Sequence, residues 1–491
     1  CHLLTQAVIL FQDDVISAQD ALPQKTPLVL SDEPRVLIVY NPTEQRRSSV
    51  ISVVVSSPDA RVVDSETAQP MPVQISAVWV EPQQVSSQAF QLSFVSELPP
   101  LSLTVYHIWS SPETGLVSCL VVFLYLERLL RFIFVLLVLL LFSTAEAPPL
   151  FRFGPPGPGE IPVVWNHNKQ GQEWCIPVPA WAGGGTGEIC TSDRDASSVP
   201  LTFILPPRSP TPLSPPLVRV SRGPIFSDIT SCFQHVTHTV RLFHLEGHSG
   251  KSIEISNMVD IRAETNRELV MRLESDVASG NRFYTDLNGF QVQQRRTLKK
   301  LPLQANFYPM SSSSFLQDSL SRLTLLSAQS QAVASLQSGE LEVVLDRRLQ
   351  QDDNRGLGQG VTDNKLTGSL YHLLLEDRRA VQEVGGATID HLSLLAHLES
   401  LSLCHPPIIM FAQSDMQLPK LRPFLPLHSS LPCDVHLLNL RTLEETGAPS
   451  QEVALLLHRK GFECSSAPEP PPQCTWSAHE EVRGAQRRFW L

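Results

Sequence analysis

The 491-residue sequence lacks most of the local signatures that announce chemistry. There is no Cys-x-x-Cys pair, so neither a redox dithiol nor a zinc knuckle is signalled. Gly-x-Ser-x-Gly and His-Glu-x-x-His are absent, which removes the nucleophile-elbow hydrolases and the zincin proteases. Gly183–Gly187 has no lysine to complete a phosphate loop. No Asn-x-Ser/Thr acceptor occurs either, because Asn41-Pro42-Thr43 is blocked by its proline. Nine cysteines are too scattered for a disulfide framework, and their odd number leaves at least one thiol unpaired. Positive charge is also short: 38 Lys and Arg stand against 49 Asp and Glu, a net charge of −11. Nothing there would neutralise a phosphate backbone, so no nucleic-acid partner is expected. The first residue is Cys1, not Met, and no signal peptide can be read.

What is present is mostly β-like. Arg35–Tyr40, Ser49–Val55, Val73–Val80 and Phe90–Val95 are short β-rich runs separated by Pro, Asn, Asp and Gln clusters, the spacing of an antiparallel sandwich. Val218–Val220, Val236–Phe243, Ser252–Ser256, Leu269–Leu273 and Glu340–Leu345 continue the pattern, with Asn288-Gly289 as a hairpin turn. Val435–Leu440 and Val453–His458 add two more strand-like runs. The expected fold class is therefore mainly β, with antiparallel β-sandwich domains. Two helices interrupt it. Leu4, Val8, Phe11 and Val15 share one helical face within residues 1–25, and Leu394, Leu395, Leu398 and Leu401 do so within 391–403.

Residues 109–215 differ from their surroundings. The segment 116–142 holds 21 Leu, Val, Ile and Phe residues, interrupted by Glu127, Arg128 and Arg131. Insertion into a bilayer would gain roughly 10 kcal/mol from the apolar residues, against about 9 lost to the charges. A membrane segment and a stretch with no evolved role remain equal readings. Pro148–Gly159, Gly183–Gly185 and Leu205–Pro212 then predict disorder over 145–215, as the Pro-rich tail does over 465–491. The organisation expected is an end of a helical bundle (1–25), a small β domain (26–108), an atypical apolar and Pro/Gly-rich insert (109–215), a β-sandwich (216–380), a C-terminal β domain (381–464) and a disordered tail (465–491).

Candidate site residues are few. His235 and His238 are spaced to face opposite ways on a strand, which disfavours joint metal ligation, and His391, His397 and His405 have no carboxylate at ligand spacing. No catalytic residue and no metal ligand is assigned. The densest polar signal is Leu345–Leu349 followed by Gln351-Asp352-Asp353-Asn354-Arg355-Gly356-Leu357-Gly358-Gln359-Gly360. Its glycines allow a close backbone approach to a ligand, and its arginines present donor forks. A salt-bridged exposed hairpin loop accounts for the same residues.

Phe283–Phe290, Lys300–Pro309 and Leu345–Gly360 resemble the C-terminal half of class II α-mannosidases, glycoside hydrolase family 38. Val220–Ser227, Ser430–Leu443, Asn41-Pro42 and Pro72–Ala77 extend the likeness over roughly 1–108 and 216–464. The resemblance implies an enzyme whose N-terminal α/β domain, not in this chain, holds zinc and a nucleophilic aspartate. A helical bundle and β-sandwich domains would follow it. Hydrolysis would retain configuration through a covalent mannosyl-enzyme. It implies the trimming of α1-3 and α1-6 mannose from N-glycans on the lumenal side of the Golgi membrane, and it allows a dimer. It also places a substrate contact at Arg355 and Gly356. The family's Gly-Ala-Tyr-Leu-Phe-Leu-Pro stretch corresponds to Leu201–Pro206 here, which has no tyrosine. On this reading the chain is inactive by itself. The alternative is a non-catalytic β-sandwich module that binds carbohydrate or protein, with a membrane-proximal apolar segment.

Overall fold

The computed structural model describes residues 9–11, 14–15, 24–111, 120–124, 151–152, 160–167, 197–204, 217–351, 358–378, 391–412, 423–445, 448–463 and 474–477. All pairing between its strands is antiparallel, apart from isolated bridges. Two sandwiches result.

The first packs a five-stranded sheet on a three-stranded one. In the five-stranded sheet the order is Ile9–Phe11, Ile408–Ala412, Arg35–Tyr40, Leu103–Ser110, Ala60–Asp64. The other runs Arg47–Val55, Gln84–Leu98, Val73–Glu81. Leu37, Val39, Ile51, Val53, Leu92, Phe94, Tyr106 and Ile108 fill the space between them. Fully buried Asn41 organises the turn leaving Arg35–Tyr40. Its amide donates to the carbonyls of Gln45 and Pro99 at 2.9 and 2.8 Å, while its oxygen accepts from the backbone N–H and hydroxyl of Thr43.

Within 1–25, the described residues Ile9–Phe11 form a strand against Ile408–Ala412 and not the expected helix. A short apolar run has no period of its own, and here a free sheet edge decides its conformation.

The second sandwich is larger. Its ten-stranded sheet includes Phe226–Cys232, Val236–Phe243, Ile253–Val259, Thr367–Asp377 and Ser321–Ser327 as successive neighbours. Its seven-stranded sheet runs Phe151–Arg152, Glu160–His167, Ser197–Ile204, Arg267–Glu274, Glu340–Arg348, Gln331–Ala334, Tyr308–Met310. Alternation in Val236–Phe243 buries Val236, His238, Val240 and Leu242 and turns the residues between them outward, as a period of two requires. The Asn288-Gly289 turn forms as expected, with φ of 51° and 73°, joining Arg282–Leu287 to Gln291–Arg296. Disorder was expected over 145–215, yet Glu160–His167 and Ser197–Ile204 pair as strands and extend the seven-stranded sheet. Leu120–Leu124, from the apolar block, pairs with Leu217–Arg222 at the edge of the larger sheet. The remainder of 116–142 and of 145–215 lies outside the described residues, and so does most of 465–491. Among the described residues no helix is long and apolar enough to cross a membrane.

Two of the motifs quoted above meet where the sandwiches join. Gln74, fully buried in the first, accepts the N–H groups of Ile225 and Phe226 at 2.9 and 3.1 Å and donates to the Phe226 carbonyl at 3.3 Å. Gly223 is needed there because an added Cβ would lie 2.2 Å from the Gln74 side chain.

The helix Leu394–Cys404 lies on the outer face of the ten-stranded sheet. Ser393 caps it by accepting from the Ala396 N–H at 3.0 Å, and Leu395, Ala396 and Leu403 pack on Leu326 and Leu374. Its Glu399 is completely buried and accepts from His248 at 2.7 Å, His372 at 2.9 Å and Ser252 at 2.8 Å. Burial alone would raise the Glu399 carboxyl, but the hydrogen bonds from the two histidines outweigh it and hold it at about 2. Burial would likewise lower His372. The carboxylates of Glu254 and Glu399 on either side raise it to about 9.

These shifts fix the sign of a pH dependence. The depressed Glu399 contributes stability above its unfolded value near 4.5, lost as pH falls toward 2, while the elevated His372 contributes stability below about 6.5, lost as pH rises through 9. We expect thermal stability to plateau between about pH 5 and 6.5. Glu399→Gln should cost about 3–5 kcal/mol there, because it leaves His372 without its closest buried carboxylate. An unchanged melting temperature against pH in that variant would contradict the assignment. For the junction, Gly223→Ala should cost about 2 kcal/mol, and the loss should be non-additive with Gln74→Ala in a double-mutant cycle. Strict additivity would show that the two residues do not share one constraint.

Candidate functional site

Arg355 and Gly356 lie outside the described residues, which stop at Gln351 and resume at Gly358. The stem that carries their loop is well defined. Glu340–Arg348 pairs with Arg267–Glu274, with a register irregularity between Leu269 and Val270. Beyond Arg348 the chain closes into a neck, where Leu349 and Val361 exchange both backbone hydrogen bonds, at 2.9 and 2.8 Å. Gly360 allows that closure, since a Cβ there would meet the Leu349 carbonyl at 2.4 Å.

Side chains reinforce the neck on both sides. Arg348 donates to the Thr362 carbonyl at 2.7 Å and to the Asn364 side chain at 3.1 Å. Asn364 in turn donates to the Asp346 carboxylate at 2.9 Å and to the Arg347 carbonyl at 2.8 Å. From the neighbouring strand Asn266, held at a φ of 50°, accepts the Gln350 N–H at 2.8 Å. Burial raises the Asp346 carboxyl, partly opposed by the Arg347 N–H and Asn364. The charged residues around the neck are therefore spent on closing it and make no acid–base pair of their own.

The position of this loop follows from register. Arg267 pairs with Arg348, so the loop leaves the sheet at the Arg267 end of the strand Arg267–Glu274. On the other side of that strand Leu201 pairs with Leu273 and Ile204 with Val270. Ile204, the last described residue of its strand, therefore lies level with Val344 across one intervening strand, roughly 10 Å away. Ser197–Ile204 and Glu340–Arg348 thus flank one strand and run toward the same sheet end, with Leu201 level with Leu341.

His235 and His238 have separate partners. His235 lies just before its strand, with its ring 2.7 Å from Glu264, whereas His238 is buried with its Nδ1 2.7 Å from the Asn257 side-chain oxygen. Burial lowers His238 to about 4. An open cleft of about 420 Å³, lined by Ser279, Asn281, Arg282, Tyr284, Asp318 and Arg378, has its acid already engaged. Asp318 accepts the N–H groups of Ala278, Leu320 and Ser321.

Sequence reading missed three features. The Glu399 cluster joins residues up to 151 positions apart, and no local spacing could reveal it. The pair His436–Glu44, at 2.8 Å, spans 392 positions. Cys433 and Cys474 form a disulfide.

Zinc, which the resemblance implies, finds no donor set here: among the described residues no group of three or more His, Cys, Asp or Glu could hold a metal ion. The densest imidazole–carboxylate cluster is unsuited to one. His372 faces a carboxylate at each ring nitrogen, 2.9 Å to Glu399 and 3.9 Å to Glu254, and so acts as a donor with no lone pair to offer.

Residues 207–355 match the Glycosyl hydrolases family 38 C-terminal domain. The chain is 44% identical over 463 residues to human Alpha-mannosidase 2, covering 91% of this chain and 39% of that protein. It is 40% identical over 481 residues to mouse Alpha-mannosidase 2x, covering 92% of this chain and 40% of that one. A crystal structure of an alpha-mannosidase from Enterococcus faecalis aligns with a TM-score of 0.47 at 11% identity, over 85% of this chain and 50% of that one. The chain thus spans less than half the length of the curated relatives it matches. With a match to the family 38 C-terminal domain at its centre and this identity along almost all of its length, the chain is similar to a C-terminal part of the family 38 α-mannosidases.

Proposed function

We propose that this chain is the C-terminal portion of a retaining α-mannosidase that trims α1-3 and α1-6 mannose from N-glycans on the lumenal side of the Golgi membrane. The observation that carries this reading is the shared sheet end. The strands Glu340–Arg348 and Ser197–Ile204, which lead toward the two segments that the family likeness associates with substrate, flank one strand and run toward the same sheet end, which supports this reading.

In this reading the described residues do not break the glycosidic bond. They position. The neck formed by Leu349, Val361, Arg348 and Asn364 fixes where the Arg355 loop projects, and Gly356 lets its backbone approach a sugar hydroxyl closely. A hydroxyl held by a carbonyl or guanidinium of Arg355 is oriented for a reaction performed by another domain. Zinc belongs to that domain in this reading, and no step of it is assigned to residues of this chain.

Two outcomes follow. Incubated with zinc and an aryl α-mannoside, the chain alone should show no turnover above a blank; measurable hydrolysis would contradict the division of labour. In a full-length family 38 α-mannosidase, disruption of the loop by Gly356→Pro should lower kcat/KM by roughly ten- to a hundredfold, the size of one unmade buried hydrogen bond. Arg355→Ala should lose less if only its carbonyl is used. Both variants are compared with the parent at equal zinc content and matched thermal stability. Unchanged kcat/KM in both would return the loop to a salt-bridged surface hairpin.

A further inference from the structure

The strand Arg282–Leu287 begins with an unbalanced positive charge. Arg282 pairs across the ladder with Arg296, so the two side chains rise from one face of the sheet. Both are exposed, and among the described residues neither side chain has a hydrogen-bond or ionic partner. Like charges directly opposite one another destabilise a strand pair. Lys299 and Lys300, also exposed, follow in the next turn. This concentration stands out in a chain with a net charge of −11.

There is room for a ligand beside the pair. The open cleft of about 420 Å³ is lined by Arg282, Asn281 and Tyr284, and by Asp318 and Arg378, which follow the strands Ser313–Gln317 and Thr367–Asp377. The exposed Asn281 side chain is likewise without a partner among the described residues. Tyr284 shares the face of Arg282, two positions on. Its hydroxyl accepts from Gln294 at 3.2 Å and keeps its own proton to donate, while its ring stacks on Phe315 at 4.6 Å. Arg378 donates to the Asp318 carbonyl and stands 3.8 Å from Glu463, which fixes its guanidinium at the cleft wall. Asp318, the one carboxylate of the lining, is turned onto the N–H groups of Ala278, Leu320 and Ser321. What remains to meet a ligand is mostly donors.

We propose that this cleft binds one tetrahedral oxyanion, a phosphate or sulfate, either free or as the ester of a sugar, with Arg282, Arg296 and Arg378 as its charged contacts. A tetrahedral group presents oxygens in several directions and suits guanidinium forks from separate strands, whereas a planar carboxylate is satisfied by a single fork. The cleft volume of about 420 Å³ also admits one attached monosaccharide, whose hydroxyls Asn281 and Tyr284 can meet. The site is separate from the Arg355 loop. Gly280 N–H donates to Ser338 Oγ at 3.0 Å and Ser275 N–H to the Gly339 carbonyl at 2.8 Å, so the cleft borders the Glu274 end of the strand Arg267–Glu274. The loop stem lies at the Arg267 end, roughly 25 Å away.

Isothermal titration calorimetry of the chain with glucose 6-phosphate, inorganic phosphate and glucose, at one low ionic strength, tests this. A phosphate should bind saturably at one site, and glucose should not bind at the same concentrations. Arg282→Gln and Arg296→Gln, both at exposed positions, should each weaken that binding by about tenfold or more, the size of one lost charge-assisted hydrogen bond. Arg296→Gln should at the same time leave the melting temperature unchanged or higher, because it removes a like-charge pair; a residue needed only for folding would not do this. Tighter binding of glucose 6-phosphate supports the site and assigns the sugar a part in it, and equal or tighter binding of inorganic phosphate supports it as a site for the free oxyanion. Absence of saturable binding by either phosphate, an unchanged affinity in both variants, or glucose binding as tightly as its phosphate would overturn it, leaving a solvated basic face.

Discussion

The strand Arg267–Glu274 is the constraint on which the proposed site depends. It is laddered on one side to Glu340–Arg348 and on the other to Ser197–Ile204, so its register alone decides which segments leave the sheet together. A slip of one residue on either side would turn Leu269, Met271 and Leu273 out of the core and move the loop stem to the wrong face. These three side chains are completely buried, which makes such a slip expensive. The register of the loop stem is therefore held by ordinary apolar burial, away from the residues proposed to touch sugar.

Around that apolar frame, buried polar side chains set how the parts meet. Gln74 hydrogen-bonds the Ile225–Phe226 backbone across the sandwich junction. Glu399 fastens the helix to Ser252, His248 and His372. Arg322, with no exposed surface, donates to Gln317 at 2.9 Å and to the His391 carbonyl at 2.8 Å, and lies over the Phe315 ring at 4.3 Å. Each is a case in which breaking one partner strands another inside, so the arrangement is specified sharply.

The strands were legible because one face of each is buried and a period of two survives in the chain, as in Val236–Phe243 and Ile253–Val259. The Asn288-Gly289 turn and the helix beginning at Leu394 were equally local signals. Where the deciding partner is distant, legibility ends. Ile9–Phe11 reads as a helix face until Ile408–Ala412 is known to offer an edge. His372, Glu399 and His248 look like isolated polar residues until the fold closes over them. The segment around Arg355 was conspicuous by composition, but only the register shows that the strand leading to it, Glu340–Arg348, shares a neighbour with Ser197–Ile204.

The most direct measurement of the central claim is photoaffinity labelling of a full-length family 38 α-mannosidase carrying this C-terminal sequence. The probe is an α-mannoside with a short photoreactive group, and the adducts are mapped by peptide mass spectrometry. Labelling of the peptide 349–361, competed by excess α-mannoside, is the result this account predicts. Competable labelling that spares 349–361 and falls instead on the cleft around Asn281 and Arg378 would contradict it.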